Sequence, residues 1–345
     1  MKKIVKKILI TGGAGFIGHH LIEGLLKKTD WNIILLDCLT YAGNLNRLRD
    51  IDCWDSNRVK FVYHDLRAPI SETTHKLIGK VNYIWHLAAE SDVGRSLTDS
   101  IPFIQSNVVG TANLLEYIKH YQPDIERYIY FSTDEVFGPA PKEVFYKEGD
   151  TCNPSNPYSG SKEGAEAISK AFAFSFGIPI TITRTMNVFG ERQHPEKFVP
   201  KTIKAILNGE KISIHGLPDD ISSRCWIHAR NICDALLFIT KKGEFIEKKY
   251  QNDRQHGVYH IVGQEKDALY LANRISKIIK ERELKNSEIK FIDFHSTRPG
   301  HDLRYALSGE KLKSTGFKYR LSLEDSFDKT IRWIIKPENQ KWLNL

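Results

Sequence analysis

The chain has 345 residues, 41% of them hydrophobic, and a formal net charge of +8, long enough for one large core or two unequal domains. Its cations are scattered, with small clusters only at Lys2, Lys3, Lys6 and Lys7 and around Lys241 to Lys249, the pattern of a solvated surface rather than a nucleic-acid site. Cys38, Cys53, Cys152, Cys225 and Cys233 are odd in number and form no CxxC pair, so no disulfide framework and no metal is expected, which points to a reducing, cytoplasmic compartment. No apolar run approaches the ~20 residues that a bilayer requires.

The opening MKKIVKKILITGG is basic and then apolar like a signal peptide. Lys6 and Lys7 interrupt the apolar part and a glycine loop follows at once, so it reads better as a first strand. Further β-rich runs at 32–37, 59–65, 83–88, 127–133 and 179–184 alternate with helix-sized segments, two of them expected at 102–120 and 155–176. That alternation implies an α/β fold, a Rossmann-type doubly wound parallel sheet. Beyond Arg184 the rhythm breaks at Pro195, Pro200 and Pro218, which suggests a smaller, irregular α/β substrate-binding lobe. The expected division is 1–186 for the dinucleotide-binding domain, with segments near 228–240 and 257–263 returning to it, and 187–345 for the second lobe. Helical stretches are expected near 269–281 and 323–335.

TGGAGFIG sets Gly12, Gly15 and Gly18 between the first strand and a helical run. A tight turn, a close backbone approach to a pyrophosphate and a close helix–strand contact all need residues without a Cβ. Asp37 ends the next strand, where a carboxylate holds both hydroxyls of an adenosine ribose and repels a 2′-phosphate, so NAD is expected rather than NADP. Farther on, FSTDEVFG places Thr133, Asp134 and Glu135 directly after an apolar strand. In YSGSK, Tyr158 and Lys162 stand at i and i+4 on one helical face. A phenol of reference pKa about 10 needs nearby cations to act as a base. One unit charge about 4 Å away, at a dielectric of about 20, supplies roughly 4 kcal/mol, or about three pKa units before desolvation. Lys162 and the nicotinium ring are the expected sources.

TGGAGFIG, HLAAES (86–91) and YSGSK are similar to the motifs of extended short-chain dehydrogenase/reductases that act on nucleotide-linked sugars. LTYAGNL (39–45), STDEVFG (132–138), NPYSGSK (156–162), HPEKFVP (194–200) and RPGHDLRYAL (298–307) resemble, more narrowly, the dTDP-glucose 4,6-dehydratase group. The resemblance implies that Gly12, Gly15, Phe16, Ile17, Gly18, Asp37, Asp65, Leu66, Leu87, Ala88, Ala89, Ser132, Tyr158 and Lys162 line NAD. It implies that Ser91, Thr133, Asn187, Lys197, Arg224, Arg298 and His301 hold a nucleoside-diphosphate hexose, with Glu90 nearby. Thr133, Asp134, Glu135, Tyr158 and Lys162 would carry the chemistry, Glu135 as base at C5 and Asp134 as acid at the C6 hydroxyl. Two carboxylates about 5 Å apart in a dry cleft repel by roughly 3 kcal/mol at a dielectric near 20, so one keeps its proton at neutral pH.

The expected activity is therefore 4,6-dehydration of a nucleoside-diphosphate hexose, first of all dTDP-glucose, with tightly held NAD. Sugar-nucleotide 4-epimerases and UDP-glucuronate decarboxylases share the NAD loop and Tyr/Lys pair but do not need two acids at C5 and C6. A non-catalytic NAD(H)-binding protein would need none of these catalytic residues. The helices at 102–120 and 155–176 resemble those of the family's four-helix dimer interface, so a homodimer is expected. Asp92, Gly94, Val188, Glu191, Arg192 and His260 depart from the group's usual residues. They are expected around the nucleotide and sugar, which leaves the base open.

Overall fold

The computed structural model describes residues 5–292 and 304–344. Of the strands β1 (Lys7–Thr11), β2 (Asn32–Asp37), β3 (Val59–Tyr63), β4 (Tyr83–His86), β5 (Arg127–Thr133) and β6 (Ile180–Thr185), β1, β2 and β5 carry largely continuous apolar runs. Such runs form where a parallel sheet is covered on both faces. All seven residues of β5 are buried.

The main sheet also takes in β11 (Val258–Ile261), and its order is β11-β6-β5-β4-β1-β2-β3. Its pairings are parallel throughout. Ile10, for example, lies opposite Leu35 on one side and Trp85 on the other. The chain reverses direction across the sheet between β1 and β4, and ligands bind at such a switch point, outside the carboxyl ends of the strands.

Two apolar layers cover the sheet. On one face, Leu21, Ile22 and Leu25 of the helix Phe16–Lys28 pack with Ile232, Leu236 and Ile239 of Ala229–Lys242. On the other, Leu114, Leu115 and Ile118 of Gly110–Tyr121 join Ala165 and Ala173 of Pro157–Phe176. The second lobe has its own core, with Phe189, Ile203, Ile214, Leu271, Phe327 and Ile331 at its centre. Two small sheets belong to it. One joins β7 (Asn187–Phe189), β10 (Ser223–His228) and β12 (Gln264–Asp267); the other joins β8 (Ile212–Leu217), β9 (Asp220–Ile221) and β13 (Ile289–Ile292).

The structure differs from the sequence-based expectation in places that matter. The single helix expected at 102–120 is an α-turn Ile101–Phe103, a π-turn Ile104–Val109 and an α-helix Gly110–Tyr121. A π-turn inserts one residue into the spiral, and here the buried Asn107 occupies it. Its side-chain amide donates to Glu90 O at 3.0 Å and to Ser161 Oγ at 2.8 Å, and its Oδ1 accepts from Glu90 N at 2.9 Å.

His260, expected near the nucleotide, is fully buried on β11, with Nδ1 3.2 Å from Ser308 O and Nε2 3.4 Å from Arg184. Glu191 and Arg192 also lie away from the paired acids, in a joint between the lobes. Glu191 is 3.0 Å from Arg230 and 3.3 Å from His228, and its carbonyl lies 3.1 Å from His20 Nε2. All five cysteines are free. Among the described residues, no helix is long and apolar enough to cross a membrane, and no group of three His, Cys, Asp or Glu could hold a metal ion.

Candidate active site

β1 runs directly into Gly12, whose φ of +71° costs a glycine little. A Cβ there would stand 2.7 Å from the Ala88 nitrogen, so the segment after β4 can close onto the loop only over a glycine. Gly15 begins the helix Phe16–Lys28 with no side-chain cap, leaving its first N–H groups as a ready anion site. Phe16 and Ile17 are half-buried at its start, and Gly18 is buried against the loop.

Asp37 is buried at the end of β2 and accepts from Ala14 N at 3.0 Å and Leu39 N at 2.8 Å. Burial raises its pKa from the usual value despite these donors. Leu87 and Ala88 are half-buried and Ala89 is exposed, while Leu66 and Ser132 are buried. Asp65 is engaged by a two-pronged Arg67 contact at 2.9 and 2.5 Å, which lowers its pKa.

At the end of β5 the backbone turns into the short 3₁₀ helix Asp134–Phe137, and Thr133 caps it. Its Oγ1 accepts from Glu135 N at 3.3 Å and donates to Asp134 Oδ1 at 3.1 Å. Asn156 caps the helix Pro157–Phe176 by accepting from Ser159 N at 2.9 Å, in a reciprocal capping box. Its amide also lies 3.5 Å from Glu135 Oε2, so one side chain sets the helix start in register with the acid. Two residues later Tyr158 is buried, its N–H donating to Ser96 Oγ at 3.3 Å, with the Thr133 hydroxyl and the two acids close enough to act on its phenol. Lys162, one turn on, donates to Phe131 O at 2.7 Å and lies 4.5 Å from the Tyr130 ring centre.

In the second lobe the Arg224 guanidinium stacks 4.8 Å over Tyr305 and donates to Ser223 O at 2.7 Å. Lys197 is 3.5 Å from Asp92 and 3.2 Å from Glu196. Asn187 is half-buried at the start of β7, opposite Trp226, and Ser91 is exposed. Arg298 and His301 lie outside the described residues. The geometry thus gathers Thr133, Asp134, Glu135, Tyr158 and Lys162 around one strand end, with the charges of Arg224 and Lys197 felt there.

The model of the GDP-mannose 4,6 dehydratase family matches residues 9–330. The chain belongs to the nucleotide-sugar 4,6-dehydratase family, within the short-chain dehydrogenase/reductases. It is 35% identical to the low-salt glycan biosynthesis protein Agl12 of Haloferax volcanii, over 95% of this chain and 98% of that protein. It is 32% identical to mouse dTDP-D-glucose 4,6-dehydratase, over 96% and 89%. The crystal structure of Bacillus anthracis dTDP-glucose 4,6-dehydratase in complex with NAD superposes with a TM-score of 0.83 at 32% identity, covering 99% of each chain.

Electrostatics give this dehydratase-family site its character. Burial raises Asp134 to about 6, opposed by Arg224 and by the Thr133 hydrogen bond. Burial and the neighbouring Asp134 charge raise Glu135 to about 7. Near neutral pH the two carboxyls therefore share about one proton, which belongs to the pair.

Burial, then the Glu135 charge, push the phenol up rather than down, and burial pulls Lys162 down to about 7, offset in part by Glu166. The Lys162 ammonium itself is directed at the Phe131 carbonyl. Asn107, Asn156 and Ser96, which hold the site, were not among the expected residues. Only Asn156 carries a local sequence signal, the N-x-x-S capping pattern before Tyr158.

Proposed function

We propose that the chain catalyses the NAD-dependent 4,6-dehydration of a nucleoside-diphosphate hexose, forming the 4-keto-6-deoxy sugar. The observation that carries this reading is the junction of Thr133, Asp134 and Glu135 with the Tyr158 phenol at one strand end. An epimerase needs the tyrosine but not two acids that share a proton.

The residues present fit NAD. The Cβ-free cradle at Gly12 and the uncapped helix start at Gly15 suit a pyrophosphate, and the Asp37 carboxylate at the end of β2 suits a ribose diol. Held there, NAD would supply the hydride acceptor for C4 and the hydride donor for C6. Tyr158 Oη takes the C4 hydroxyl proton, with Thr133 Oγ1 holding the phenol in line. The site's basicity depends on raising the charge near that phenol, since burial alone opposes it.

The ketone at C4 acidifies the C5 hydrogen. With the pair's proton passed to Asp134, Glu135 removes that hydrogen while Asp134 protonates the C6 hydroxyl, which leaves as water, and Glu135 returns its proton to C5 as hydride reaches C6. Arg224 and Lys197 hold the diphosphate, and binding energy from that remote group orients the sugar over the acids. In our reading NAD stays bound through the cycle and the protein is a homodimer. Ile101, Ile104, Val109 and Phe176 are apolar and exposed along the helices concerned.

dTDP-glucose is the favoured substrate, supported by the names of the mouse and Bacillus proteins, although the family model carries a GDP-sugar name. Purified protein is offered dTDP-, UDP-, CDP- and GDP-hexoses, and the 4-keto-6-deoxy product is read by its ultraviolet absorbance in alkali. The double substitution Asp134→Asn with Glu135→Gln is expected to keep NAD and abolish product. Undiminished turnover in that variant refutes the assignment.

A further inference from the structure

We propose that Tyr41 and Arg95 close a clasp over the cofactor cleft and set how long NAD stays bound between turnovers. β1 lies between β2 and β4 in the sheet. A contact between the loop after β2 and the helix after β4 therefore passes over the end of β1, where the glycine loop stands. That contact exists, since the guanidinium of Arg95, on the helix Val93–Thr98, lies 3.9 Å from the Tyr41 ring centre.

Both banks rest on the glycine loop beneath. Asn44 N donates to Ala14 O at 3.0 Å on one side, and Gly12 abuts the Ala88 backbone on the other. The second lobe completes the ring. Tyr41 Oη donates to Glu196 Oε1 at 3.3 Å, and the adjoining Lys197 pairs at 3.5 Å with Asp92, the N-cap of Arg95's own helix. Loop, helix and second lobe thus meet at Tyr41.

A dinucleotide held on the glycine loop cannot leave across this bridge without parting these contacts. Each contact is partly solvated and individually weak, as suits a closure that opens on occasion. Tyr41 is 42% exposed and fills no core, so its replacement leaves the packing intact. The clasp rests on NAD occupying the cleft and not on the hexose chemistry, so the two readings fail separately.

The test uses the full chain loaded with NAD and challenged with excess etheno-NAD, with exchange followed by fluorescence. Tyr41→Ala and Arg95→Ala are expected to exchange about tenfold faster than the parent chain, as the loss of a cation–π contact and a charged hydrogen bond implies. Tyr41→Phe keeps the ring beneath Arg95 and drops the Glu196 bond, so its rate falls in between. Thermal melts of the same loaded proteins confirm that each variant is folded. Equal exchange rates in all four proteins, or a parent chain that exchanges as fast as Tyr41→Ala, overturn the clasp.

Discussion

Asp134 shows at the scale of one residue how function is set against stability. It is 4% exposed, and burial lifts its pKa from 3.8 to about 6. A carboxyl whose folded pKa is raised favours the fold fully below its unfolded value, and that contribution is lost as pH climbs through the folded value. Asp134→Asn is therefore expected to stabilise the protein by about 3 kcal/mol at pH 8, with the gain vanishing below about pH 4. Urea unfolding at the two pH values measures it, and a gain of equal size at both contradicts an origin in the buried charge. Taken alone, the Thr-Asp-Glu stretch reads as a solvated loop start, since acids are common just beyond strands; only the resemblance of STDEVFG gave it a chemical reading. What Lys162 does was not legible. Its partner is a main-chain carbonyl 31 residues upstream, and no side-chain pattern announces a carbonyl.

At the scale of an element, the helix Pro157–Phe176 carries Tyr158, Lys162 and Glu166 four residues apart on one face. Glu166 anchors it. Both of its oxygens meet Arg184 of β6, at 2.9 and 2.7 Å, and that guanidinium stacks 4.7 Å over Phe137 of the turn bearing the paired acids. Removing one partner leaves a buried charge unpaired, so Glu166→Gln is expected to cost about 3–5 kcal/mol, while Glu166→Leu with Arg184→Met costs less. Denaturant unfolding of both proteins decides this, and a double variant weaker than the single one counts against it. The parallel strands could be read from their β-branched runs, and the helix caps from Asn156 and Ser159. The π-turn could not, because Ile104–Val109 has no periodicity that separates it from an α-helix. Only the bonds of Asn107 to Glu90 and Ser161, both distant in sequence, favour the extra residue.

At the scale of the whole molecule, the lobes are held by Glu191, which ties His228 and Arg230 to His20 of the glycine-loop helix. Burial of its side chain acts to raise its pKa, but the close approach of His228 at 3.3 Å and the charges of His20 and Arg230 outweigh it and hold the carboxyl far below the usual range. A depressed carboxyl stabilises the fold above its unfolded value, and that contribution is lost as pH falls. Glu191→Ala is expected to lower the melting temperature at pH 7 and to separate the unfolding of the lobes in calorimetry, and a single unshifted transition speaks against the joint. Ile101→Asp with Ile104→Asp is expected to yield a monomer by light scattering, whereas an unchanged mass places any interface elsewhere.

One further consequence follows from the late strand Val258–Ile261, which pairs with β6 at the rim of the main sheet. During synthesis the ribosome releases Thr185 long before Val258, and at ~5–20 residues per second the wait lasts seconds. Until then the nascent chain carries β6 as an open hydrogen-bonding edge, the template for mispairing with another chain. Fragments that stop near residue 186 inherit that open rim for good and are expected to precipitate, whereas chains extending past Ile261 cover it.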